Sequence, residues 1–357
     1  MSYTALSDLL PLDNWLPPTN QGLLIIAGPC SVESRQQLNA TAQAIAAGKQ
    51  AQVLRAGVWK PRSKPGQFEG IGEEALPWIK EAAKENGLLT AVEVAKPKHV
   101  ELCLKHQIDM LWLGARTSVN PFMVQDIADS LKGADIDIMV KNPVCPDLHL
   151  WIGAIQRIAQ AGVRKIIAVH RGFHINKISK YRNVPLWSIP LQLKTEIPNL
   201  PVICDPSHIA GNRELISEVA EHALALNMNG LMMEVHHKPE QALTDPLQQI
   251  TPLMMTKILA ELQNANMQEP LKKIKAIRSL IDESDYQMLE TLAERMTLAK
   301  DIGKLKKMTK TGVLQADRLN DIIADRLNRA EQLGLSKSFV NDIMQLIHEE
   351  SVAIQSK

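Results

Sequence analysis

Gly230-Leu-Met-Met-Glu-Val-His-His-Lys-Pro-Glu-Gln-Ala-Leu-Thr-Asp245 opens as a short apolar run after a glycine and turns polar at Glu234. Such a run reads as a buried strand. A carboxylate at the end of a buried strand is not there for packing. Left unpaired it would cost several kcal/mol, on the order of 2–7 or more, so it calls for a cation. Asp245 stands just before Pro246 and an apolar-periodic run, where a helix is expected to begin. The same grammar recurs upstream. Val202-Ile203-Cys204 gives way to Asp205-Pro206-Ser207-His208, and Leu23-Leu24-Ile25-Ile26-Ala27 gives way to Gly28-Pro29-Cys30. One thiol, one imidazole and two carboxylates, Cys30, His208, Glu234 and Asp245, therefore sit at or just past strand C-termini. Their mixed S, N and O donors suit a divalent Mn, Fe, Co or Zn better than Mg or Ca.

Outward from these points the first 260 residues alternate. Strand-like runs fall at 23–27, 52–56, 88–94, 109–114, 136–141, 165–169, 201–205 and 230–235. The intervals are long enough for helices. Ser34 to Gly48 and Glu73 to Gly87 each end on a glycine, and the first begins on a capping serine. Eight such units fit a closed (β/α)8 TIM barrel, of roughly 250 residues. An open doubly wound sheet is the alternative, but Gly28-Pro29-Cys30-Ser31 is not a dinucleotide loop. Charged residues cluster just past the runs: Arg55, Lys60, Arg62, Glu93, Arg116, Lys141 and Arg171. Barrel enzymes build their sites on that rim. Six basic residues exceed what two metal carboxylates need and suit substrates bearing phosphate or carboxylate groups.

Bulk properties narrow the function classes. The chain has 357 residues and a formal net charge of +1. That length favours two domains, and the balanced charge predicts neither nucleic-acid nor membrane attraction. Aromatics make up 4%, which argues against a base-stacking surface. No apolar run is long enough to span a bilayer, and Met1 to Asp8 carries no signal-peptide pattern. Four cysteines form no disulfide framework. A reducing cytoplasm is the expected location. Residues 1–20 are Pro-rich and read as an irregular arm or short helix.

The ordered set Gly28-Pro29-Cys30-Ser31, Lys60-Pro61-Arg62-Ser63, Gly114-Ala115-Arg116, Asp205-Pro206-Ser207-His208 and Glu234-Val235-His236 resembles the 3-deoxy-D-arabino-heptulosonate 7-phosphate (DAHP) synthase family, over about residues 20–260. The resemblance implies a (β/α)8 barrel that condenses phosphoenolpyruvate with erythrose 4-phosphate at the head of the shikimate pathway. It implies Cys30, His208, Glu234 and Asp245 as metal ligands. Arg55, Lys60, Arg116, Lys141 and Arg171 would grip phosphoenolpyruvate, and Lys60 could also move a proton. Arg62 and Ser63 would hold the phosphate of erythrose 4-phosphate. A sister family making an octulosonate 8-phosphate shares the barrel, but Pro61-Arg62 favours the four-carbon aldehyde. His170-Arg171-Gly172 departs from the common Glu-Arg-Gly.

Asn264 to Pro270 is polar and breaks the pattern, so the expected division is a barrel over 1–263, a linker over 264–270 and a helical domain over 271–357. Ile274, Ile277, Ile281, Met288, Leu292, Met296 and Ala299 fall at helical spacings. One helix from about Leu271 to Lys307 would run roughly 55 Å, followed by helices over Gln315–Leu333 and Ser336–Gln355. Periodicity alone reads this as a dimerisation module. Yet Arg295 and Lys306 share one face, as do Ser351 and Gln355, whereas Arg278 points elsewhere. Over about residues 272–356 the segment resembles the all-helical chorismate mutase family, through Ile277-Arg278, Ile281-Asp282, Leu292-Ala293-Glu294-Arg295, Ile302-Gly303-Lys304-Leu305-Lys306 and Glu349-Glu350-Ser351-Val352. That resemblance implies an intertwined homodimer or higher homo-oligomer. Arg278 would be lent to the other chain, and Arg295, Lys306, Arg318, Ser351 and Gln355 would form the in-chain site for chorismate. Lys306 and Gln355 would donate to its ether oxygen. Gln315 and Leu319 stand where Asp and Glu are common. A regulatory alternative follows, in which the domain senses chorismate or prephenate and restrains the synthase as an allosteric, feedback-binding module.

Overall fold

The computed structural model describes residues 6–16, 22–60, 66–176, 179–264, 270–309 and 316–356. Arg62, Ser63, Gln315 and linker residues 265–269 lie outside them, as do the side chains of Arg318 and Leu319. The chain divides into two compact units, Met1–Leu280 and Ile281–Lys357.

In the first unit the eight apolar runs are strands: β1 Leu24–Gly28, β2 Val53–Ala56, β3 Leu89–Val94, β4 Met110–Leu113, β5 Asp137–Lys141, β6 Ile166–His170, β7 Val202–Cys204 and β8 Gly230–Glu234. They are parallel and close in sequence order into a barrel. Closure pairs β1 with β8 over their full length and sets Gly28 opposite Glu234. Strands in a closed barrel are covered on both faces, which explains continuous apolar runs rather than alternation. One face of each feeds a barrel interior that includes Ile26, Val53, Trp112, Met139 and Met232. The other face packs under the helical shell.

The shell is built from α1 Arg35–Ala47, α2 Ala75–Glu85, α3 Pro97–Lys105, α4 Ala115–Ser118, α5 Pro121–Ser130, α6 Leu148–Gln160, α7 Ser188–Glu196, α8 Pro206–Ala210, α9 Ile216–Ala225 and α10 Pro252–Asn264. Ser34 caps α1 by accepting from the Gln37 amide, as its sequence position predicts. At the other end Gly48 stays right-handed, and Lys49 takes the positive φ of 54° instead.

Two expectations change. No helix begins after Asp245; Asp245 itself has φ 45°, the next helix, α10, starts at Pro252, and Ile250 first bridges Val235. Pro246 and Leu247 imitated a helix start, but Gln248, Gln249 and Ile250 are buried and return the chain to the barrel rim. The N-terminal arm also has a job. Leu12 and Leu16 are buried and join the interior cluster with Trp15, while the Leu10 amide donates to the Arg164 carbonyl ahead of β6. The arm therefore stoppers the N-terminal mouth of the barrel.

The remaining helices are α11 Pro270–Thr309, α12 Ala316–Gln332 and α13 Lys337–Ser356, close to the three read from periodicity. The boundary between units falls inside α11. Its first turns belong with the barrel, where Ala276 is buried, Lys272 pairs with Glu221 at 3.4 Å, and Ser279 Oγ lies 3.2 Å from His222 Nε2.

Candidate active sites

The C-terminal ends of the strands surround a cavity of about 830 Å³. Arg55, Lys60, Arg116, Lys141 and Arg171 all line it, with Glu93, His208 and Asp245. Arg55 ends inside the barrel, 1% exposed, its guanidinium 4.9 Å above the Trp112 ring. Its Nη2 lies 3.3 Å from Glu234 Oε1, and its Nε and Nη1 have no hydrogen-bond partner among the described residues. Buried donors normally find acceptors, so these two N–H groups are shaped for something that enters. Burial works against the Arg55 charge, but Glu234 and its neighbours outweigh it and the pKa ends above its usual value.

Lys141 ends β5 and donates to Asp205 Oδ2 at 2.7 Å. Burial lowers its pKa, and Asp205 opposes that fall. Asp205 is fully buried; its Oδ1 caps α8 by accepting from the His208 amide, and its Oδ2 lies 2.7 Å from His208 Nδ1. Despite burial, His208 and Lys141 hold Asp205 well below the ordinary carboxylate range. Arg171 is brought down to about 10, mainly by burial, with Asp205 opposing. Its amide donates to Asn142 Oδ1, whose Nδ2 in turn donates to the Pro143 and Gly172 carbonyls, so one buried asparagine fixes the loops after β5 and β6.

The four expected ligands lie at one end of the barrel. Ligand atoms of Cys30, Glu234 and Asp245 all lie within 4.8 Å of one another, the one such group among the described residues. His208 Nε2 is 3.8 Å from Glu234 Oε1. Glu234 is fully buried, and its Oε1, ion-paired with Arg55 Nη2 at 3.3 Å, accepts no hydrogen bond among the described residues. That oxygen, beside a thiol and an imidazole, fits a divalent metal of the Mn, Fe, Co or Zn class. Burial tends to raise the Glu234 carboxyl, but His208, Arg55 and Lys60 outweigh it and the group stays ionised. Burial also holds the His208 ring below its usual pKa, against the pull of Asp205, and a lowered pKa is the direction that favours ligation. Cys30 is different. Burial, then Glu234, pushes its thiol up to about 12, so binding a metal there would expel a proton. Lys60 Nζ sits 3.1 Å from Cys30 Sγ, between the ligands and the basic wall.

In the second unit, Arg295 on α11 donates to Ser351 Oγ on α13. Ser351 is buried and itself donates to the Ile347 carbonyl at 2.6 Å. Gly303 permits the approach of the two helices: a Cβ there would lie 2.8 Å from Gln355 Cα. Gln355 Oε1 is buried without a hydrogen-bond partner among the described residues. Lys306 is partly exposed on α11, and Arg278 is exposed near the start of that helix.

Sequence reasoning missed Asp205, Arg182, Gln248 and Trp112. Asp205 had a readable signal, an Asp three residues before His208 in a cap position. Trp112 looked like ordinary strand filling. Arg182 lies in the loop after β6, and no local pattern marks it.

The family model described as the DAHP synthetase I family matches residues 17–269, and that of chorismate mutase type II matches residues 277–356. A phospho-2-dehydro-3-deoxyheptonate aldolase from Thermotoga maritima is 30% identical over 239 residues, covering 67% of this chain and 68% of that protein. A 2-dehydro-3-deoxyphosphooctonate aldolase from Magnetococcus marinus is 25% identical over 69% of this chain and 88% of its own length. Among solved structures, the Thermotoga maritima DAHP synthase superposes with a TM-score of 0.61 at 29% identity, covering 68% of each chain. This chain belongs to the DAHP synthetase I family and carries a chorismate mutase type II domain behind its barrel.

Proposed function

We propose that the barrel condenses phosphoenolpyruvate with erythrose 4-phosphate to DAHP, and that the helical domain rearranges chorismate to prephenate. The observation that carries the first reading is Arg55, which lines the basic cavity, keeps its Nε and Nη1 without a hydrogen bond among the described residues, and sets its Nη2 3.3 Å from Glu234 Oε1. Two anionic substrates repel each other in water. Arg55, Arg116, Lys141 and Arg171 hold the phosphate and carboxylate of phosphoenolpyruvate, with Arg62 and Ser63 assigned to the phosphate of the aldehyde. The enol carbon C3 then forms a bond to the aldehyde carbon. Water adds at C2, and the phosphohemiketal expels inorganic phosphate by C–O cleavage. Lys60 stands where it can give a proton to the new alkoxide or take one from the water. Cys30, His208, Glu234 and Asp245 would hold the divalent metal, which when bound supplies Lewis acidity at the aldehyde oxygen. Dialysis against a chelator should abolish condensation and added Mn should restore it; full activity after dialysis would remove the metal from the scheme. Arg116→Ala should weaken the apparent affinity for phosphoenolpyruvate at least tenfold, read in a steady-state assay.

The second reaction is pericyclic and needs no acid, base or metal. Arg295, Arg318 and Ser351 would hold the chorismate dianion in its compact conformer, while Lys306 and Gln355 stabilise the ether oxygen. Homodimer formation through the helical domain, with Arg278 crossing to the other chain, is supported by exposed apolar side chains on α11 such as Leu289, Leu298 and Leu305, 58–64% exposed in the single chain. Equilibrium sedimentation of the full chain tests it. The second reading is a regulatory role beside turnover, prephenate sensing. Prephenate added to the synthase assay separates the two roles: no change in rate ends the regulatory one.

A further inference from the structure

Each carboxylate proposed for the metal has one oxygen occupied and one presented to the cluster. Asp245 Oδ1 accepts from Arg182 Nη1 at 3.0 Å, while its Oδ2 faces Cys30 Sγ at 3.4 Å. Glu234 Oε2 accepts from Gln248 Nε2 at 2.6 Å, while its Oε1 accepts no hydrogen bond among the described residues and lies 3.3 Å from Arg55 Nη2 and 3.8 Å from His208 Nε2. The two restraints are one connected chain, because Arg182 Nη1 also donates to Gln248 Oε1 at 2.6 Å. Gln248 is 1% exposed, and its amide has a single satisfiable orientation. Turned over, it would set oxygen against the Glu234 carboxylate and N–H against the guanidinium.

Arg182 is itself fastened to the helix that carries His208. Its amide donates to the Ala210 carbonyl at 3.3 Å, and the neighbouring Asn183 Nδ2 donates to the His208 carbonyl at 2.7 Å. At Gly211, which closes α8 with φ 66°, a Cβ would sit 2.3 Å from Arg182 Cβ, so only glycine leaves room for this seat. Three of the four ligand positions are thereby tied to one arginine.

We infer that Arg182 and Gln248 form a bracket that makes Glu234 and Asp245 single-oxygen donors and so sets the affinity and size preference of the metal site. The inference rests on the metal reading above. Single-oxygen carboxylates suit compact, low-coordinate ions such as Zn and the smaller transition metals; a carboxylate free to rotate can chelate through both oxygens, which larger ions prefer. Arg182 and Gln248 act through the ligands and are positioning residues.

The test uses metal-stripped, full-length protein titrated calorimetrically with Mn and with Zn. Outer residues that orient ligands change metal affinity by about 10–100-fold when removed. Gln248→Leu and Arg182→Met should each weaken Mn binding by about that much, and weaken Zn more than Mn. Arg182→Lys, which keeps the charge but loses the fork, should fall between. In the Gln248→Leu background Arg182→Met should cost less than in wild type, because the chain is already broken. Variants that bind Mn within about threefold of wild type, with unchanged Mn:Zn preference, would overturn the bracket alone. Wild-type protein that takes up no stoichiometric Mn or Zn would overturn the bracket and the metal reading together. Circular dichroism of each metal-free variant shows whether a loss tracks unfolding; Arg182→Lys then carries the decision.

Discussion

Removing the Arg55 guanidinium should destabilise the metal-free protein far more than the metal-bound one. Arg55 and Glu234 are both 1% exposed or less, with Nη2 3.3 Å from Oε1. Deleting one partner of a buried ion pair typically costs about 3–5 kcal/mol, because the survivor stays charged in a poor solvent. Here the lower end applies, since Gln248 donates to Glu234 Oε2 and His208 lies 3.8 Å from Oε1. The stacking on Trp112 returns about 1 kcal/mol to the estimate. Arg55→Met should therefore cost about 3–4 kcal/mol, and at roughly 2–4 °C per kcal/mol the barrel transition should drop about 10 °C. A divalent ion on Glu234 replaces the lost cation, so saturating Mn should recover about half of the drop. Phosphoenolpyruvate affinity should fall as well, and Arg55→Lys should restore stability better than affinity, since an ammonium lacks the fork. The measurement is differential scanning calorimetry of full-length protein with chelator and with Mn. A metal-free Arg55→Met melt within about 2 °C of wild type would refute the pairing, and an equal drop with and without Mn would refute Glu234 as its cause.

Three further expectations are independent of that one. Lys306→Ala should lower the mutase rate by at least about a hundredfold, the usual scale for one donor to a developing charge, followed by loss of chorismate absorbance; a wild-type rate ends its role. Asp137, at the far end of the barrel, is lifted to about 6 by burial, against the pull of Lys165. Its folded pKa exceeds its unfolded one, so it costs stability above pH 6 and nothing below about pH 4. Asp137→Asn should accordingly stabilise the protein by about 1–2 kcal/mol at pH 8 and not at pH 4, in paired denaturant titrations. Gly28→Ala would place a Cβ 2.0 Å from the Arg55 carbonyl oxygen at φ 155°; the strand cannot yield without moving Arg55, so soluble yield and phosphoenolpyruvate affinity should fall together.

The strands were legible because a closed parallel barrel buries both faces, and Leu24–Gly28 or Ile166–His170 can be little else than apolar. Helix ends were legible where a side chain does the capping, as Ser34 does, and misleading where the cue was only proline beside apolar residues, as at Pro246. The four residues proposed as ligands stood out because each closes a strand or begins a turn. What the sequence concealed is the support. Arg182 meets Asp245 across 63 residues and Gln248 across 66, and neither partner breaks a local pattern. Leu12 and Leu16 look like debris of a Pro-rich arm until they are found under the barrel floor.

That division has a physical cause. A strand or a cap is decided by neighbours in sequence, so its signal is local. A catalytic site is decided by which buried atoms are left wanting. Glu234 Oε1 and the Arg55 Nε and Nη1 groups are costly because they are buried without a hydrogen bond among the described residues. Asp205 illustrates the converse. Its carboxylate spends one oxygen on capping α8 and the other on Lys141 and His208. It joins Lys141 of the basic wall to His208, one of the proposed ligands. On the metal reading, the proposed ligands state what the barrel can hold, and the satisfied groups behind them decide how firmly it is held.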